Sequence, residues 1–106
     1  MTRVFVYGRL TTGGFYHQHY LGGQALLGTG MIDNYKTYII GGLQAAVPQD
    51  GFQVKGEVYE VDGKALGKLD HIHNIGLVFN RSMVDIKMEN GEILPAEVYI
   101  LIGEVS

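Results

Sequence analysis

The chain has 106 residues, enough for one domain around one core, and its 46% hydrophobic and 18% charged residues are the balance of an ordinary globular protein. The net charge is −3 and the eight Lys and Arg are scattered, so no basic patch argues for nucleic acid, and the lack of cysteine excludes disulfides, thiol nucleophiles and thiolate metal sites. No apolar run approaches the length of a membrane span, and the stretch after Arg3 is too short for a signal peptide, so the expected setting is the cytoplasm, with no membrane partner.

Residues 3–7 read as a short apolar strand. It runs straight into Gly8-Arg9-Leu10-Thr11-Thr12-Gly13-Gly14, a turn-forming loop. Such a loop can aim successive backbone N–H groups at one point and hold an anion there. Gly8 has no Cβ to keep a ligand away, and Arg9 adds a permanent positive charge. A plain turn is the alternative reading of the same residues. Residues 14–21 are expected as a short helix or an ordered loop. Residues 24–33 and 35–40 are expected as two strands joined near Asp33-Asn34, and residues 43–52, with Pro48 and Gly51, as a loop. Over 53–61, Val54, Gly56 and Val58 alternate with Lys55, Glu57 and Tyr59, which is a strand signature.

Leu66, Leu69 and Ile72 recur at three-residue spacing and predict the main helix over 64–74. At about 100° per residue, His73 falls near Leu66 and Leu69 and points inward, while His71 lies opposite and faces solvent. His73 is then either a core histidine satisfied by a backbone partner or a titratable group facing a cavity. Residues 79–88 alternate again. Asn90-Gly91 signals a two-residue hairpin turn, and the unbroken run Val98-Tyr99-Ile100-Leu101-Ile102 predicts a strand buried on both faces. Glycine supplies 16 of the residues, about twice its usual share. Gly28, Gly30, Gly56 and the pair Gly41-Gly42 interrupt apolar stretches, which suits a strongly curved sheet. The expected fold class is α+β: one domain over residues 1–106, a small mixed β-barrel-like sheet with one main helix.

The histidines His17 and His19, and His71 and His73, stand two apart. On a helix that spacing diverges, and no carboxylate cluster completes a metal site, so no metal is expected. Ser82 and Ser106 are the only serines and neither sits in a nucleophile elbow. Tyr7, Phe79, Arg81 and Tyr99 either line a cavity or serve packing. Glu57 and Glu60 fall on opposite faces of one strand and do not make a carboxylate pair.

Together these segments resemble the gamma-glutamylcyclotransferase-like family, over nearly the whole chain, with the small bacterial YtfP-like branch the nearest in look. The family's opening strand and Tyr-Gly-(Ser/Thr)-Leu turn are matched by Val4-Phe5-Val6-Tyr7-Gly8-Arg9-Leu10. Its middle strand is similar to Val54-Lys55-Gly56-Glu57-Val58-Tyr59-Glu60-Val61. Its Leu-Asp-x-x-Glu helix corresponds to Leu69-Asp70-His71-Ile72-His73, its Tyr-x-Arg to Phe79-Asn80-Arg81, and its closing strand to Ala96-Glu97-Val98-Tyr99-Ile100. The resemblance implies a compact mixed barrel with a cavity at the first turn. It also implies cofactor-free release of 5-oxoproline from gamma-glutamyl compounds, in which the substrate's own amine attacks its γ-carbonyl and a glutamate takes the proton. This chain departs at three of those places: His73 stands at the glutamate, Arg9 at the small hydroxyl residue, and Phe79 at the tyrosine. The expectation is a non-catalytic member that binds a small anionic, gamma-glutamyl-like metabolite through Tyr7, Gly8, Arg9, Leu10, Phe79, Arg81 and Tyr99. The alternative is an enzyme of altered specificity with His73 as base.

Overall fold

A computed structural model describes residues 1–40 and 42–103; Gly41, half of the expected glycine pair, lies outside them. Five strands close into a barrel: β1 (Thr2–Val6), β2 (Ala25–Ile40), β3 (Leu43–Val61), β4 (Phe79–Met88) and β5 (Ile93–Leu101), in the spatial order β1-β3-β2-β4-β5. Successive strands in this order run antiparallel, β5 returns parallel to β1, with Val4 opposite Glu97 and Phe5 opposite Val98, which closes the ring, and β3 also meets β5 in parallel at Ala46 and Ile100. Helix α1 (His17–Leu21) follows the first turn, and α2 (Gly63–Ile72) links β3 to β4. Asp62 caps α2, its Oδ1 accepting from the Ala65 N–H at 2.8 Å. Among the described residues no helix is long and apolar enough to cross a membrane.

The two-residue period of the strands sorts their side chains into two layers. Phe5, Val58, Ile86 and Val98 fill the barrel interior. Val4, Val6, Tyr59, Val61 and Tyr99 face outward and are covered by Leu21 of α1 and by Ala65 and Leu69 of α2. The central strands therefore bury both faces, which is why β1 and β5 read as unbroken apolar runs. Gly56 is required by this packing. A Cβ there would run into the Val6 carbonyl oxygen and the Phe5 ring.

Two expectations about the middle of the chain need correction. Residues 25–40 form one strand, not two, and residues 43–52 belong to β3. The turn residues mark an irregularity inside a long ribbon. Asp33 pairs with Gln53 and Tyr35 with Pro48, so four residues of β3 swing out opposite the single Asn34. Asn34 has φ 66°, and its Oδ1 accepts from the Gly51 N–H at 3.2 Å. Pro48 sits where the ladder is already interrupted, so its missing donor costs little. The Asn90-Gly91 turn joins β4 to β5 but spans Glu89–Glu92. Only Gly91 has a positive φ, whereas a two-residue type I′ turn needs one at both positions. Helix α2 is two residues shorter than expected at its C-terminal end, and His73 is its C-cap, still in the right-handed conformation.

Candidate functional site

The first turn divides two cavities. After β1 the backbone turns at Gly8, φ +67°, through a single 3₁₀ turn over Gly8–Leu10. The Gly8 carbonyl accepts from the Thr11 N–H at 3.2 Å and the Thr11 hydroxyl at 2.6 Å. Ahead of the turn the buried Tyr7 hydroxyl donates to the Tyr99 carbonyl at 2.8 Å and accepts from the Ala46 N–H at 2.9 Å, joining β1 to β5 and β3. Burial pushes that phenol well above its ordinary value, so it stays neutral. Leu10 is buried. Arg9 is exposed, one guanidinium nitrogen lying 3.3 Å from the Gly42 carbonyl oxygen.

Behind Arg9 lies His73, only 3% exposed. Its ring is stacked on Tyr99, centroids 3.8 Å apart and planes 4° from parallel, and meets Phe79 edge-on at 5.0 Å. Nδ1 stands 2.7 Å from the Leu69 carbonyl oxygen, which can only accept, so Nδ1 carries the proton and Nε2 the lone pair. Burial lowers the pKa of His73 from 6.5 to about 4, against the opposing pull of the Leu69 carbonyl and the Asp70 charge. Asp70 accepts from the Tyr99 hydroxyl at 2.5 Å and pairs with Arg81 Nε at 3.4 Å. Desolvation first, then this bond, holds the Tyr99 phenol far above its usual range.

Tyr7, Arg9, Leu10, His73 and Tyr99 thus line one small cavity, together with Gln44. Its free volume is about 10 Å³, the space of one water molecule. Phe79 backs His73 without lining it, and Arg81 is held at Asp70. Gly8 does not line this cavity but a second, larger one, because the turn sends Arg9 and Leu10 to the opposite side from Gly8.

That larger cavity, about 450 Å³, lies where Thr11 and Thr12 lean over β2, β3 and β4. Two of its lining residues, Thr12 and Glu57, belong to a polar cluster that the sequence did not announce. The Thr12 N–H donates to Glu57 Oε1 at 2.6 Å, and Tyr59 OH lies 2.8 Å from the Thr12 hydroxyl, 2.9 Å from His17 Nε2 and 3.3 Å from the same Glu57 oxygen. Alternation put Glu57 and Tyr59 on one face of their strand. Nothing local marked Thr12 and His17 as their partners. Among the described residues no three His, Asp or Glu converge on a point where a metal ion could sit.

A family model described as "Gamma-glutamyl cyclotransferase, AIG2-like" matches residues 4–105. The gamma-glutamylcyclotransferase family protein YtfP of Escherichia coli K12 is 38% identical over 86 residues, spanning 77% of this chain and 71% of that protein. Its counterpart in Citrobacter rodentium is 39% identical over 82 residues, 77% of this chain and 70% of its own. Among solved structures, an AIG2-like protein from Mus musculus superposes with a TM-score of 0.85 at 26% identity, covering 99% of this chain and 80% of that one.

Proposed function

The chain belongs to the gamma-glutamyl cyclotransferase, AIG2-like family, and from that premise we propose that it is a ligand-binding member, which takes a small gamma-glutamyl-like anion at its first turn without carrying out ordinary cyclotransfer. The observation that carries this reading is the cavity of about 10 Å³ behind Arg9, walled by His73 lying flat on Tyr99. A gamma-glutamyl group is many times the size of a water molecule, so its carbonyl has no place beside His73. The resemblance aligns His73 with the family's glutamate. A neutral imidazole offers no negative charge to the ammonium that has to lose its proton. Arg9 is exposed, and its planar fork of donors matches a carboxylate arriving from solvent.

One observation favours the alternative. With Nδ1 engaged by Leu69, Nε2 carries a lone pair at neutral pH and can accept a proton, although burial makes it a weaker base than a free imidazole. The two readings part on 5-oxoproline release from gamma-glutamyl dipeptides, and on binding of the same dipeptides. We expect no turnover by the wild type and weaker binding by Arg9→Ala, by about tenfold for a lost charge-assisted bidentate contact. Robust wild-type turnover that His73→Ala abolishes would make His73 the base and overturn the non-catalytic reading. Binding unchanged in Arg9→Ala would reduce the first turn to a turn.

A further inference from the structure

The larger cavity carries a charge pattern that the first-turn chemistry does not use. Gly30 pairs with both Gly56 and Met88, so β3, β2 and β4 run side by side across the floor of the cavity. In the adjacent rows, Lys55 pairs with Met31 and Met31 with Lys87, while Glu57 pairs with Thr29, whose carbonyl accepts from the Glu89 N–H at 3.1 Å. All six of these residues line the cavity. The outer face therefore shows two parallel rows, Lys-Met-Lys and Glu-Thr-Glu. The rows are two residues apart along each strand, about 7 Å, and the flanking charges in each row are two strand spacings apart, about 10 Å.

We propose that this cavity binds a dipeptide-sized zwitterion, its carboxylate over Lys55 and Lys87 and its ammonium over Glu57 and Glu89. An extended dipeptide spans about 7 Å, the separation of the two rows. A volume of about 450 Å³ is within the range of small-molecule sites. Two of the four poles are set in advance. Lys87 is paired with Asp33 on the neighbouring strand, and one oxygen of Glu57 is fixed by the Thr12 N–H and the Tyr59 hydroxyl, which leaves the other oxygen to a ligand. Lys55 and Glu89 have no ion-pair partner among the described residues and complete the pattern from either side. Thr11 and Thr12 wall one end, so the backbone of the turn limits the length that fits. The inference does not rest on the reading of Arg9 and His73.

The test is an amide chemical-shift titration of the whole chain with L-alanyl-L-alanine, beside its N-acetylated form, which lacks the ammonium, and its C-terminal amide, which lacks the carboxylate. We expect saturable shifts at Gly30, Met31 and Thr12 with a dissociation constant of about 1 mM, as suits exposed charges. Each blocked form should bind about tenfold more weakly, and Lys55→Gln and Glu89→Gln should each weaken the free dipeptide about fivefold, while Lys68→Gln, exposed on α2 and outside this cavity, leaves it unchanged. Equal binding of the blocked forms, shifts confined to Arg9, His73 and Tyr99, or no saturable shift would each overturn the assignment. Failure of the first-turn reading alone would instead leave these shifts in place and show only in the Arg9 and His73 variants.

Discussion

Protonating His73 means placing a charge in a ring sealed between Phe79 and Tyr99. The unfolded chain takes that proton near pH 6.5, the folded chain only near 4. Between these values the unfolded state binds more protons, so stability rises with pH. The contribution of a neutral His73 is fully present above about pH 6.5 and is lost as pH falls towards 4, by at most about 3 kcal/mol. Denaturant midpoints at pH 7 and pH 5 should show a less stable wild type at pH 5, and His73→Phe, which keeps an aromatic ring on Tyr99, should flatten that difference. An undiminished difference in His73→Phe would place the acid sensitivity elsewhere. The helical stripe gave the inward direction of this side chain. It could not give the stack, because Tyr99 and Phe79 come from other strands and meet His73 only through the register of the barrel. The same holds for Thr12 and His17 at Glu57, whose meeting depends on how a loop folds back across β3.

Helix α2 is fastened to the sheet by few polar bonds, and the shortest runs from Tyr99 of β5 to Asp70. Tyr99→Phe keeps the ring against His73 and removes this bond to a charged partner. It should lower stability by about 1.5 kcal/mol, read from urea denaturation, with the helical signal of the folded protein unchanged. A loss below measurement would mean that Asp70 is satisfied by Arg81 and solvent alone. At this scale the sequence was legible wherever period decided the matter: the alternation over 53–61 and 79–88, and the stripe through Leu66 and Leu69. It misled over 43–52, where Pro48 and Gly51 predict a loop and the chain instead continues as β3. Those residues do mark a departure from the ladder, but whether a proline ends a strand or sits at a bulge is set by what lies opposite it, here Tyr35 beside the irregular Asn34.

The closed ring as a whole depends on close approach between strands, and Gly56 tests it. Gly56→Ala drives a methyl group into the Val6 carbonyl and the Phe5 ring, backbone and a packed aromatic that cannot both yield. A loss of about 1–3 kcal/mol by thermal or urea denaturation is expected, as for other overpacked cores, while Gly63→Ala, with open space around it, serves as the neutral control. Barrel curvature was legible in these scattered glycines, but strand order was not, since nothing in residues 3–7 names their neighbours. That order has a consequence during synthesis. β1 is made early, yet its ladder partners are Glu57–Val61 and Glu97–Val98. At ribosomal speeds of about 5–20 residues per second, Val4-Phe5-Val6-Tyr7 waits for seconds with both apolar faces bare. A nascent chain in that state is a ready client for chaperones that grip short hydrophobic segments, and faster translation of the second half would shorten its exposure.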